Sequence, residues 1–312
     1  MKAMLYEKTK SAKKLILCDV KKPIPRNNEV LVRIHASSLN ALDYRSMHMG
    51  IGIPKKRIFG ADIVGMVEEC GSHASTFKPG DTVLGDISGC GSGGFAEYVS
   101  AAEDVLVAKP AEISDETAVA LPVAAVTALQ AVRDKAAVQP GLQMLIYGAS
   151  GGVGTYAVQL ATYFGAQVTA VCSATNMAAV RSLGACEVID YALEDITASD
   201  RKFDRIIAIN GNIPLSAYRK ILAPHGIHVM VGGSLRQIFA AIFLGPFLSI
   251  GSRKFRVLTA KPNRKDLEFV MELVVAGKLR VVIDRTYPLE QAAEAMRYVG
   301  EGHARGKVII TM

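Results

Sequence analysis

Apolar and polar positions along the first 122 residues follow short periods. Val30, Val32 and Ile34 alternate with Leu31, Arg33 and His35, the period of two that suits a half-buried strand. Ile63, Val64, Met66 and Val67 form a more continuous apolar run, and Pro79-Gly-Asp81 marks a turn ahead of Val83 and Leu84. Phe95 to Val99 leads into another short strand, Val105 to Ala108. Past Pro122 the pattern changes. Leu142 to Tyr147 reads as a short strand, glycines follow, and Val153, Ala157, Leu160, Ala161 and Phe164 recur at helical spacing. Gly165 stands where that helix should stop. Further strands are predicted over 168–172, 187–189, 205–209, 227–231 and 255–259, several of them separated by helical segments. Such alternation implies a parallel sheet with helices on both faces. After Pro262, Asn263 can cap a helix that Gly277 ends. Leu289, Ala292, Ala293, Met296 and Val299 then form a helical stripe before a closing strand at 308–310.

One stretch departs from these periods. Ile238 to Ile250 is almost wholly apolar but too short for a transmembrane helix, and Gly245-Pro246 breaks it. It predicts core packing or a subunit contact, as in a homodimer. The sharper alternatives are a hydrophobic substrate wall and a contact with a membrane surface. Composition adds little beyond size: 312 residues, half of them hydrophobic, suit about two domains with sizeable cores. The net charge of +7 changes the picture only slightly, because Lys and Arg are spread along the chain. The densest cluster, Lys8, Lys10, Lys13, Lys14, Lys21 and Lys22, has no interleaved aromatics, so no nucleic-acid partner is expected. Five cysteines without a C-x-x-C pair, and no apolar leader, predict a reducing, cytoplasmic setting.

The candidate chemistry begins at Gly148-Ala149-Ser150-Gly151-Gly152-Val153-Gly154. Between a strand and a helix, such glycines permit a tight turn and a close approach to a pyrophosphate. The helix N-terminus then offers unpaired N–H groups. No Lys-Ser or Lys-Thr follows, which excludes a P-loop. The end of the next strand selects the cofactor. An acid there would hold the 2′-hydroxyl of NAD. The chain instead has Cys172-Ser173-Ala174-Thr175-Asn176, where Ser173 and Asn176 can donate to a 2′-phosphate, so NADP is expected.

That glycine run, with Gln159-Leu-Ala161, Leu121 to Ala128, Ser182-Leu-Gly-Ala185, Val188 to Tyr191, Pro288 to Ala293 and Gly306-Lys-Val308, resembles the zinc-independent quinone oxidoreductase branch of the medium-chain dehydrogenase/reductase family. The resemblance covers nearly the whole chain. It implies an α/β protein with a β-rich, GroES-like catalytic domain from both chain ends (1–122 and 261–312) around a Rossmann domain (123–260). It places Thr127 near the nicotinamide, Ser150, Gly151, Gly152 and Val153 around the pyrophosphate, and Ser173 and Tyr191 at the 2′-phosphate. Relatives often have Lys where Asn176 stands.

Metal-using members of the family carry a Cys and a Gly-His-Glu segment. Ser37 to Asp43 and Gly60-Ala-Asp62 occupy those places here, and the six histidines lack ligand spacing, so no metal is expected. Without a Lewis acid, an easier acceptor follows: a hydrophobic quinone or α,β-unsaturated carbonyl whose oxyanion is held by hydrogen-bond donors. Asn40 and Tyr44 are the candidates, with Asp43 orienting their loop. Half-buried packing is the alternative for Tyr44, and capping a turn that simply holds the loop is the alternative for Asn40. Two other readings are an NADPH-binding structural or interaction protein with little turnover, and a reductase of thioester-linked enones.

Overall fold

The computed structural model describes residues 1–8, 13–210, 213–233, 235–249 and 251–312. Lys10 of the basic cluster and Ile250 at the end of the apolar stretch lie outside them. The chain forms two compact units. The first comprises Met1–Val126, Pro262–Gly277 and Val281–Met312; the second comprises Thr127–Lys261 and Lys278–Arg280.

The first unit opens with an antiparallel ribbon, β1 (Lys2–Lys8) and β2 (Lys13–Asp19). Strand β3 (Glu29–Leu39) carries the predicted alternation only in part: Val30, Val32 and Ile34 lie in an apolar cluster and Arg33 is exposed, but Leu31 is buried as well and His35 is half-buried. Helix α1 (Ala41–Met49) follows, then β4 (Asp62–Cys70), β5 (Thr82–Asp86), β6 (Tyr98–Ala102), β7 (Leu106–Ala108) and α2 (Asp115–Val119). Helix α3 (Pro122–Leu129) starts on a proline, whose missing N–H is no loss in a first turn, and runs into a π-helical segment, Gln130–Lys135.

The second unit is a six-stranded, all-parallel sheet. Its strands are β8 (Gln143–Tyr147), β9 (Gln167–Cys172), β10 (Glu187–Asp190), β11 (Phe203–Ile209), β12 (Leu222–Val231) and β13 (Lys254–Leu258), in the order β10-β9-β8-β11-β12-β13. The order reverses beside β8, the switch point at which dinucleotides bind in such sheets. Helices α4 (Gly152–Tyr163), α5 (Met177–Ser182), α6 (Leu215–Ile221) and α7 (Leu235–Leu248) connect the strands. Helix α4 buries Tyr156, Ala157, Leu160 and Ala161, and a large apolar side chain such as Leu160 contributes roughly 1.5–3 kcal/mol when buried. It stops where expected, with Gly165 in the left-handed region at φ +84°.

Two expectations need correction. Gly245-Pro246 does not break the apolar stretch, because α7 continues through Pro246. The proline lies in the last turn, so the one helical N–H bond it removes leaves the preceding turns intact. The Ser249 hydroxyl also donates to the Gly245 carbonyl and accepts the Phe255 N–H, which secures the helix end. Core packing does not account for the stretch either: Phe239, Ile242, Phe243, Leu244 and Phe247 are exposed.

The chain then re-enters the first unit. Helix α8 (Arg264–Val275) is capped by Asn263, whose Oδ1 accepts the Asp266 N–H at 3.1 Å. Strand β14 (Ile283–Pro288), helix α9 (Ala292–Gly300) and strand β15 (Lys307–Thr311) complete the sheet β14-β15-β3-β4-β5-β7, with β6 also on β3. The antiparallel register of β15 on β3 brings Val308 opposite Leu39, so Lys307 at the start of β15 lies beside the loop that holds Asn40.

Candidate active site

In the second unit the glycine loop lies at the carboxyl end of β8 and opens α4. Two glycines are required by backbone contacts. A Cβ on Gly148 (φ +80°) would fall 2.4 Å from the Ile209 carbonyl oxygen, and one on Gly154 would fall 2.1 Å from the Gly148 oxygen. Gly151, the N-cap of α4, is different: a Cβ there would meet only the Gly148 oxygen, at 3.8 Å. The space before it is open, and a glycine N-cap has no side chain to occupy the first-turn N–H groups. Those groups and the helix dipole suit an anion such as a pyrophosphate.

The same unit gathers the residues predicted for the cofactor's far end. The Asn176 amide donates to the Ser150 hydroxyl at 3.1 Å and to the Ser173 hydroxyl at 3.0 Å. Both amide protons are thereby used, so Asn176 holds the two serines rather than reaching a ligand through its own N–H. An oxygen that accepts from Asn176 keeps its own O–H to donate elsewhere. The exposed Tyr191 is tied to this corner by its N–H, which bonds the Cys172 carbonyl at 3.2 Å. Thr127 is half-buried on α3.

In the first unit Asn40 is the N-cap of α1 and lies in a buried polar cluster. Its amide donates to Asp62 Oδ2 at 2.8 Å, and its carbonyl oxygen accepts from Lys307 Nζ at 2.8 Å. The Asp62 carboxylate also accepts from the Ser38 hydroxyl and from the Val123 N–H at the start of α3, while Ser37 donates to the Asp62 backbone carbonyl. Lys307 completes its set with the Leu39 carbonyl at 3.2 Å and Asp62 Oδ2 at 3.4 Å, so its three ammonium protons all have acceptors. That full set is what a buried ion pair needs to be tolerated. The second amide proton of Asn40 takes no partner among the described residues. Asp43 orients the loop by accepting the Asn40 and Gly60 N–H groups at 3.0 and 3.3 Å. Burial, with the Asp62 charge adding to it, pushes the Asp43 carboxyl up to about 7.

Tyr44 is not part of this cluster. Its ring lies on α9, where a Cβ on Gly300 would fall 2.1 Å from Cε2, and it stacks on His48 with centroids 5.6 Å apart. This geometry favours the packing role. Lys307 and the use of Asp62 as a hub are the residues that sequence reasoning missed. The available signal was a lysine opening the strand of a closing, otherwise apolar segment, next to Gly306, whose φ is +119°.

The cluster does not fit a zinc ion. Its donors are hydroxyls, one amide and the carboxylates of Asp62 and Asp43, and an ammonium already holds the cationic place; zinc prefers Cys sulfur and His nitrogen. Among the described residues no three His, Cys, Asp or Glu side chains stand together as metal ligands would. No described helix is long and apolar enough to cross a membrane.

Known proteins bear on both units. Residues 26–111 match the family described as alcohol dehydrogenase GroES-like domain, and residues 183–310 match the one described as zinc-binding dehydrogenase. The chain is 37% identical over 303 residues to the chloroplast envelope quinone oxidoreductase homolog of Arabidopsis thaliana, covering 92% of this chain and 91% of that protein. It is 32% identical over 329 residues to a mitochondrial NAD(P)H oxidoreductase of Homo sapiens, covering 91% and 82%. The solved quinone oxidoreductase from Coxiella burnetii superposes with a TM-score of 0.90 at 30% identity, over 100% of this chain and 99% of that one.

Proposed function

The chain belongs to the quinone oxidoreductase branch of the medium-chain dehydrogenase/reductase family, and we propose that it is an NADPH-dependent reductase of a small hydrophobic quinone or α,β-unsaturated carbonyl compound. The observation that carries the cofactor reading is the meeting of Ser150 and Ser173 on Asn176, with no acid at 173–176 to repel a phosphate. In this reading the N–H groups at the start of α4 hold the pyrophosphate, and the hydroxyls of Ser150, Ser173 and Tyr191 serve the 2′-phosphate. Thr127 keeps the nicotinamide role that the resemblance gives it. When bound, the cofactor supplies a hydride.

The first unit contributes the remaining chemistry. The uncommitted amide proton of Asn40 donates to the acceptor oxygen, where negative charge develops. Conjugation in a quinone or enone spreads that charge, so a neutral donor suffices where an isolated alkoxide would call for a stronger electrophile. The test is loss of NADPH absorbance against a panel of quinones, free enones and thioester-linked enones. Oxidation by a free quinone or enone is the expected result. Cofactor binding without oxidation by any acceptor would favour the structural alternative.

The exposed aromatic face of α7 supports a homodimer as the solution state. A monomeric mass in solution, unchanged by Phe243→Glu, would remove that part of the reading. The five cysteines, free in the structure, keep a reducing, cytoplasmic setting as part of the same reading.

A further inference from the structure

We infer that Lys307 is a positioning residue of this reaction: its buried ammonium fixes the orientation of the Asn40 amide and strengthens that amide as a donor. The inference rests on the role proposed above for Asn40. It begins with delivery. Lys307 opens β15, and its side chain is almost completely buried. The preceding Gly306 adopts φ +119°, and a Cβ there would fall 2.3 Å from the Val282 carbonyl oxygen. The turn that places Lys307 therefore admits no other residue without a backbone shift.

Distances then decide which partner matters. Lys307 Nζ lies 2.8 Å from Asn40 Oδ1 and 3.4 Å from Asp62 Oδ2. The ammonium is seated on the amide more closely than on the carboxylate, so a simple ion pair does not describe it. The amide consequently has one possible orientation. Turning it over would set its NH₂ against the ammonium and its oxygen against Asp62, two repulsive contacts inside a buried cluster. With the carbonyl on Lys307 and one N–H on Asp62, the direction of the second N–H is fixed before any acceptor arrives. The positive charge also draws electron density toward the amide oxygen, which leaves that N–H more strongly polarised. Donors held in advance in this way are the ones that stabilise developing charge most. A purely structural lysine needs neither feature.

The test is a double-mutant cycle on the full-length protein with NADPH and a quinone substrate, measuring kcat, KM and the NADPH dissociation constant. Lys307→Met should lower kcat about tenfold, less than loss of the donor itself, with NADPH binding unchanged. In an Asn40→Ala background the same substitution should add less than about a twofold effect. If Lys307→Met fails to fold because Asp62 is left unpaired, the charge-balanced pair Asp62→Asn/Lys307→Met, read against Asp62→Asn alone, takes its place in the same cycle. A wild-type kcat for the lysine variant beside a slow Asn40→Ala overturns the role of Lys307 and leaves the proposed function standing. Effects that multiply fully in the double variant overturn it too, since Lys307 would then act apart from Asn40. A wild-type rate for Asn40→Ala instead removes the reading of Asn40 itself, and the inference with it.

Discussion

The glycine loop at the end of β8 and the polar cluster around Asn40 both present hydrogen-bond donors, and they do so by opposite means. The loop works by lacking side chains. Gly148 and Gly154 let the backbone close on itself, and Gly151 leaves the mouth of α4 open. The cluster works by burying charged side chains, with Asp62 and Lys307 holding an amide between them. A backbone site is written within a few consecutive residues and tolerates replacement of its surroundings. A side-chain cluster is written across the chain, with 267 positions separating Asn40 from Lys307, and each member depends on the others. The two regions should therefore fail differently when mutated.

The largest expected effect lies in the cluster. Asn40→Ala removes the proposed donor and should lower kcat for quinone or enone reduction by ~10²–10³, with less loss if water reaches the site. Because Lys307 and Asp62 each lose a partner as well, the melting temperature should fall too, by the equivalent of roughly 1–3 kcal/mol. NADPH affinity should stay nearly intact. Titration of NADPH into the variant checks this, and a large loss of affinity would show that the two regions do not fail separately.

The converse comes from the loop. Gly154→Ala drives a Cβ toward the Gly148 oxygen and the backbone of Ala149, neither of which is the end of a flexible side chain. The loop must shift, with a stability loss of about 1–3 kcal/mol. NADPH binding should be severely weakened, whereas the Asn40 cluster should be untouched. Equilibrium binding checks the first point. Wild-type NADPH affinity in a folded variant would remove the loop from the cofactor site.

The contrast also explains what could be read from sequence. The parallel sheet of the second unit, the strand–loop–helix around Gly148–Gly154 and the Asn263 cap are local patterns, each contained in one short window. The gathering of Ser150, Ser173 and Asn176 was partly legible, because the end of β9 must lie near the loop at the end of β8 in a parallel sheet. What residue type alone suggested for Asn176, direct donation, gives way to bridging once both of its protons are counted. Lys307 was not legible, since no local period says that a strand from the far end of the chain pairs with β3. The stripe on α9 shows the same limit on a smaller scale. Ala293 was expected on its buried face, but Ala295 is buried and Ala293 exposed. Alanine supports either face, so tertiary packing decides.

A smaller effect sharpens the cofactor side. NADPH should bind more tightly than NADH, and Tyr191→Phe should reduce that preference by up to about tenfold, the worth of one hydrogen bond to a charged group. NADH affinity should not change, since only the phosphate contact is removed. Equal loss for both cofactors would assign Tyr191 to packing of the loop.

The smallest effect is a pH dependence, and the part of it that Asp43 carries belongs to the cluster. Asp43 is buried, and burial together with the Asp62 charge pushes its carboxyl up to about 7, against two N–H bonds and Lys307. In the unfolded chain an ordinary aspartate loses its proton near ~3.9. Between those values the folded state holds more protons than the unfolded state, so stability declines as pH rises through the window and levels off above 7. Asp86, pushed up to about 6 by burial, adds to the decline over the lower part. His228 acts in the opposite sense. Burial lowers its imidazole to about 3, so the unfolded chain binds the extra proton and stability rises with pH until about 6.5. The two contributions oppose each other over much of the range, and a single melting curve against pH would hide both. Asp43→Asn isolates one of them. The amide sets an N–H against the N–H of Asn40 or Gly60, which lowers stability by an amount that does not vary with pH. What remains is the difference between the two proteins. The variant's deficit in melting temperature should shrink by a few degrees as pH rises from 5 to 8. Parallel curves for the two proteins would mean that Asp43 is already ionised in the folded state at pH 5. In that case the cluster is wetter than its burial implies, and a smaller gain from the Asn40 donor follows.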